Sequence, residues 1–249
     1  MDEDTEEPWI EDVDEEVNSN EDDDEEQPPG FDLFSIDKRE PVDEFKLTLG
    51  DITIDLNGIR AKYPHLLQST GMTLWEGSEK LCEYLCEHSE IVQGKTVVEL
   101  GAGLGLCGIV AHKHGASRVI LTDGDTDTLK NMRMNVSSNI GDNAGNDLLC
   151  KQLLWGKRVE EFREKWEPGG FDIVMGGDIA YAQESLEILF QTAMVLLSTK
   201  NGSTFMLSFV FRGGVTIENV ADCAKKHSLE WVAPKNGNSE GVYVFRRGQ

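Results

Sequence analysis

Apolar and polar positions first fall into a regular order at Glu44. Phe45, Leu47 and Leu49 alternate with polar neighbours, Gly50-Asp51 interrupts, and Ile52, Ile54 and Leu56 alternate again. A period of two on both sides of a short turn predicts a β-hairpin. Leu74, Leu81, Tyr84 and Leu85 then fall near helical spacing and predict a helix over about 76–88. Further on, apolar runs predict strands at 96–100, 118–122, 148–154, 171–175 and 204–211. Helices are expected between them at about 104–114, 125–138, 184–198 and 215–227, with a weaker one near 158–166. Two last strands, 229–233 and 241–246, are joined by a link too short for a parallel crossover. The expected fold is therefore α/β: seven strands in a mainly parallel sheet, helices on both faces, the last strand antiparallel, and an N-terminal β-hairpin.

Charge divides the chain in two. The 249 residues carry 46 acidic and 23 basic side chains, a net charge of -23. Of the acids, 18 lie in residues 1–37, where there is no Lys or Arg. Residues 1–40 are thus expected to be a disordered acidic tail, because self-repulsion and sparse apolar content leave nothing to offset the entropy of ordering. Within it, Phe31-Asp32-Leu33-Phe34-Ser35-Ile36 is an apolar island. Residues 41–249 are expected to form one nearly charge-balanced domain, long enough to bury a core.

The same counts exclude several classes. No basic stripe exists to meet a phosphate backbone, so direct nucleic-acid binding is not expected. No run approaches the ~18–20 apolar residues of a membrane span. Met1-Asp2-Glu3-Asp4 lacks the basic and apolar regions of a secretion signal. Cys82, Cys86, Cys107, Cys150 and Cys223 form no CxxC pair and are odd in number, which fits reduced thiols rather than a disulfide framework or metal site. A cytoplasmic or nuclear monomer is expected.

Candidate chemistry centres on Val98-Glu99-Leu100-Gly101-Ala102-Gly103-Leu104-Gly105, where a strand ends and a helix opens. Glycines there permit a tight turn and let a ligand lie against bare backbone beside a helix N-terminus. The spacing is ambiguous, since Gly103, Gly105 and Gly108 also satisfy the dinucleotide pattern GxGxxG. Two acids discriminate. Glu99 would repel a pyrophosphate but suit an ammonium or sulfonium. Asp123, closing the next strand, can accept both hydroxyls of a ribose. A nucleoside bearing a cationic group fits both: S-adenosylmethionine does, NAD does not.

With these motifs in view, the chain resembles the seven-strand S-adenosylmethionine-dependent methyltransferases (class I, Rossmann-like). More narrowly it is similar to the protein-lysine methyltransferases of methyltransferase family 16. The resemblance covers about residues 44–248 and is carried by Gly71-x-x-Leu74-Trp75-Glu76, the glycine turn, Leu121-Thr122-Asp123, Asn135 with Asn139, Leu153-x-Trp155-Gly156, and Asp178-Ile179-Ala180-Tyr181. It implies that Glu99 and the loop of Gly101, Gly103 and Gly105 face the methionine end of the cofactor. Asp123 would take the ribose, Trp155 the adenine, and Trp75 would close the pocket. Asp178 and Tyr181 would be catalytic beside the acceptor, with Asp178 also bordering the cofactor. Leu154 departs from the polar residue common there, leaving Asn131 to Asn135 or backbone groups to read the adenine.

The implied activity is direct in-line methylation of a lysine on a protein substrate, one that the acidic tail would suit if basic. Alternatives are a same-fold enzyme acting on protein histidine or a small molecule, a nicotinamide-linked oxidoreductase, and a non-catalytic binding module.

Overall fold

The computed structural model describes residues 43–60, 70–141, 147–234 and 239–248. The expected acidic tail, with its apolar island, lies outside the described residues. The domain opens with the hairpin: β1 (Asp43–Leu49) and β2 (Ile52–Arg60) pair antiparallel with Leu49 opposite Ile52. A two-residue strand, β3 (Thr73–Leu74), adds to β2 in parallel, an element the alternation did not show. Then follow α1 (Glu76–Glu87), β4 (Thr96–Glu99), α2 (Leu106–Lys113), β5 (Arg118–Asp123), α3 (Thr126–Ile140) and β6 (Leu148–Gln152). The chain continues with α4 (Val159–Trp166), β7 (Ile173–Gly177), α5 (Gln183–Leu196), β8 (Thr204–Phe209), α6 (Ile217–Lys226), β9 (Leu229–Val232) and β10 (Gly241–Arg247).

The main sheet has seven strands in the order β6-β5-β4-β7-β8-β10-β9. As the short final link predicts, β10 runs antiparallel to both β8 and β9; it slots between them and leaves β9 at the edge. Strand alternation divides the core between the two faces. Val97, Val119 and Met175 point to one side, where they meet α1 to α3 and the hairpin residues Ile54 and Leu56. Val98, Ile120 and Val174 point to the other, against Phe162 of α4, Phe190 of α5 and Val220 of α6. Near-continuous apolar runs, with both faces buried, are what covered parallel strands require.

One boundary differs from expectation in an instructive way. The strand expected at 171–175 is displaced to Ile173–Gly177. Phe171 makes only an isolated bridge to Leu197, whereas Gly176 and Gly177 pair with Leu207 and Ser208. Glycines carry no apolar signal, so their place in a buried strand is set by neighbours: a Cβ on Gly177 would meet the Ser78 Cα at 2.8 Å.

Candidate active site

A cleft of about 1150 Å³ opens beyond the C-terminal ends of the parallel strands, between them and the hairpin. The switch in strand order between β4 and β7 lies beneath it, the usual ligand site of an open α/β sheet. Its floor is the loop after β4, tied to both neighbouring strands. Leu100 N–H donates to the Met175 carbonyl at 2.9 Å, and Ala102 N–H to the Thr122 carbonyl at 2.8 Å. Gly101, Gly103 and Gly105 take φ of 57°, 53° and 81°, a region that favours glycine. A Cβ on Gly103 would meet the Gly71 carbonyl oxygen at 3.1 Å.

Seven of the nine expected site residues line this cleft: Trp75, Gly101, Gly103, Asp123, Trp155, Asp178 and Tyr181. Asp123 is locked in place, Oδ2 accepting from Gly103 N–H and Oδ1 from Asp125 N–H, both at 3.1 Å. Burial raises its pKa against these hydrogen bonds. Trp75 caps the start of α1 and donates from Nε1 to the Thr70 carbonyl at 2.8 Å. The Trp155 ring lies 3.4 Å from where a Gly101 Cβ would sit. Leu154, half exposed, stands over Gly124 beside Asp123 and forms an apolar wall there.

Glu99 and Gly105 do not line the cleft. Glu99 is 2% exposed and turned behind the loop, its Oε2 accepting from Gly108 N–H at 2.8 Å at the start of α2. Burial pushes its pKa to about 8, against the hydrogen bonds from Cys107 and Gly108. The expected contact of Glu99 with a cationic ligand is therefore corrected on geometry: the carboxyl is turned away from the cleft and braces the loop from below. Gly105 serves as the left-handed N-cap of α2.

The span offered for reading the adenine, Asn131 to Asn135, divides in the structure. Asn135 binds the backbone of β2 rather than facing the cleft, Oδ1 accepting from Asn57 N–H at 2.7 Å, and Asn139 of the resemblance motif does likewise, Oδ1 accepting from Asp55 N–H at 2.9 Å. Only Asn131 of this row reaches the cleft; its Nδ2 donates to the Asn57 carbonyl at 2.9 Å.

Asp178 follows β7 with φ of 62°, unusual for a residue other than glycine. Its side chain does not cap the helix that follows; α5 starts on Ala182 without a side-chain cap. Instead Oδ2 accepts from Gly77 N–H at 3.1 Å, in the first turn of α1. Both oxygens also meet Arg212, Oδ1 accepting from Nε at 3.2 Å and Oδ2 from an Nη. The Arg212 guanidinium lies 5.2 Å from the centre of the Trp75 ring. Sequence reading passed over Arg212. The signal was present in the topology: Gly177 pairs with Ser208, so the segments after β7 and β8 emerge side by side.

The fold and the cleft define an α/β protein of Rossmann-like architecture with its cleft at the strand C-termini. Solved structures agree on the fold. The ribosomal protein L11 methylase of Lactobacillus delbrueckii subsp. bulgaricus matches with a TM-score of 0.52 at 18% identity, covering 69% of this chain and 79% of that one. A SAM-dependent methyltransferase from Agrobacterium tumefaciens matches at 0.54 and 12% identity, over 86% of this chain and 72% of that one. A family model described as lysine methyltransferase matches residues 61–214. The chain belongs to this lysine methyltransferase family, methyltransferase family 16.

Among its relatives, protein N-lysine methyltransferase METTL21A of Xenopus tropicalis is 38% identical over 128 residues, 51% of this chain and 56% of that protein. EEF1A lysine methyltransferase 3 of the same species is 30% identical over 177 residues, 71% of this chain and 75% of that one. Calmodulin-lysine N-methyltransferase of Arabidopsis thaliana is 27% identical over 189 residues, 75% and 60% of the two chains. The match spans just over half the length of the METTL21A relatives, 56% to 58%.

Proposed function

We propose that this chain is an S-adenosylmethionine-dependent protein methyltransferase acting on a lysine side chain. The observation that carries the reading is one cleft lined by two kinds of residue. Glycine backbone and the Asp123 carboxylate share its lining with Asp178, Tyr181 and Trp75. The residues fit a nucleoside cofactor. Gly101 and Gly103 leave bare backbone, Asp123 offers acceptors for ribose hydroxyls, and Leu154 and Trp155 give apolar surface to a purine. When bound, the cofactor supplies an electrophilic methyl group on a sulfonium.

The protein's share of the chemistry is positioning. Lysine has a pKa of about 10.4, so roughly one side chain in a thousand is neutral near pH 7.4. Trp75 and Tyr181 flank the path of the acceptor, and a desolvated amine loses its proton more readily. Holding that amine in line with the reacting carbon then supplies most of the acceleration.

The charged side chains lining the cleft outside the Asp178–Arg212 pair support a basic substrate segment: Glu44, Asp123, Asp125 and Asp127 face one Lys130, itself 2.9 Å from Asp127. The five cysteines are free, as suits the cytoplasm or nucleus, and we read the chain as a monomer. The test uses full-length protein, labelled S-adenosylmethionine and a heat-treated lysate from cells lacking the enzyme. Methyl-lysine on a protein is expected by mass spectrometry. Methyl-histidine, or label only in small metabolites, overturns the acceptor assignment. Thermal stabilisation by NAD in place of S-adenosylhomocysteine overturns the cofactor.

A further inference from the structure

Asp178 is not available as a lone negative charge. Its carboxylate is 3% exposed and is shared between the Gly77 N–H and two nitrogens of Arg212. Arg212 is itself three-quarters buried, held between that carboxylate and the face of Trp75. Its pKa is raised first by the Asp178 hydrogen bond. The remaining charged groups near the pair come from other elements. Glu76 in the first turn of α1 is bridged to Lys80 at 3.0 Å, and Glu240 ahead of β10 accepts from Phe211 N–H at 3.1 Å. Tyr181 lies on the cleft side.

This arrangement bears on which form of lysine the site accepts. A buried, unpaired carboxylate would bind an ammonium and hold its proton, stabilising the form that cannot attack. A carboxylate already paired bidentately with a guanidinium has spent that charge. We propose that Arg212 is a positioning residue that makes the acceptor end of the cleft electrically neutral, so that a substrate lysine is seated there as free amine rather than as ammonium. The proton goes from the ammonium to solvent water as the side chain enters, and no group of the protein needs to take it. Arginine suits this place because it stays charged and its fork matches both carboxylate oxygens. The inference rests on the lysine activity proposed above.

The experiment compares full-length wild type with Arg212→Gln, measuring methyl transfer to the heat-treated lysate from pH 6 to 10. S-adenosylhomocysteine affinity is measured by calorimetry alongside. In wild type, transfer should climb with pH and level off as the seated amine loses its proton. In Arg212→Gln the uncompensated Asp178 should move that rise upward by one pH unit or more, so that a loss of at least tenfold at pH 7 shrinks at pH 9.5. Cofactor-product affinity should change little.

A second variant, Arg212→Gln with Asp178→Asn, is neutral again and should return the rise to the wild-type position at whatever maximal rate remains. It also serves if the single variant does not fold. A loss uniform across pH, or a rise unmoved in Arg212→Gln, overturns the proposal and leaves Arg212 a brace for α1; so does a displaced rise in the double variant. Absence of lysine transfer by wild type at every pH would instead sink the activity itself.

Discussion

The side-chain amide of Asn135 grips both backbone groups of Asn57: Oδ1 accepts from the N–H at 2.7 Å and Nδ2 donates to the carbonyl at 3.1 Å. One turn on, Asn139 does the same for Asp55, at 2.9 and 2.6 Å. An asparagine amide offers both donors and an acceptor, as a strand backbone does, so a row of them on α3 substitutes for a strand along the open edge of β2. This is how the hairpin is bound to the domain and how one wall of the cleft is held. Asn135→Ala strands the Asn57 N–H and the Leu104 carbonyl, which Asn135 also serves at 3.0 Å. The expected loss is roughly 2–4 kcal/mol, read as a lower urea midpoint. An unchanged midpoint would show the row to be dispensable.

Glu99 should impose a pH dependence on stability. Its folded pKa of about 8 exceeds the usual 4.5, so the folded state holds the proton more tightly than the unfolded chain. The contribution is complete below the unfolded value and is lost as pH rises through about 8. Across that window the stability assigned to this group should fall by roughly 3–5 kcal/mol. Glu99→Gln keeps an acceptor for Gly108 N–H without the titration. Melting scans from pH 5 to 9 should therefore show the variant losing less than wild type and overtaking it at the alkaline end.

Asp123 is the cofactor-end residue most open to a clean test. Removing its carboxylate takes away charged acceptors, each worth roughly 1.5–3 kcal/mol. Asp123→Ala should weaken S-adenosylhomocysteine binding by roughly 10- to 100-fold in calorimetry. Wild-type affinity in that variant would remove Asp123 from the site.

Gly77 lets α1 approach the end of β7. A Cβ there would lie 2.6 Å from the Asp178 Cβ and 2.8 Å from its backbone nitrogen, and backbone cannot swing aside. Gly77→Ala should therefore cost stability despite alanine's better helix propensity, by roughly 1–3 kcal/mol. It should also lower methyl transfer, because Trp75 and Asp178 shift together. A variant as stable as wild type would mean that the contact relaxes freely.

Tyr181 presents the opposite case. Its side chain is about half exposed at the cleft, so nothing in the core depends on it. Tyr181→Ala should leave stability within about 0.5 kcal/mol. Methyl transfer should nevertheless fall by roughly tenfold or more through lost acceptor alignment, with cofactor-product affinity retained. Equal transfer by both proteins would take Tyr181 out of the acceptor site.

Much of this protein is legible in one dimension because local rules carry it. Period-two alternation at 45–56 specifies the hairpin, and apolar runs separated by amphipathic stretches specify the covered parallel sheet. The shortness of the link at 234–241 alone dictates an antiparallel final strand. Glycines at 101, 103 and 105 announce a turn against which a ligand lies, and the acid at 123 announces a ribose acceptor.

What the tertiary structure decided is where polar side chains spend their hydrogen bonds. In sequence, Glu99 is an acid beside a glycine loop; in space it is buried behind that loop and turned to Gly108. Asn135 and Asn139 direct theirs to the backbone of β2. Asp178 is joined to Gly77, 101 residues before it, and to Arg212, 34 residues after it. Residue type and spacing state which groups can pair. Only strand order and register bring one particular donor within 3 Å of one particular acceptor, and burial then fixes its charge.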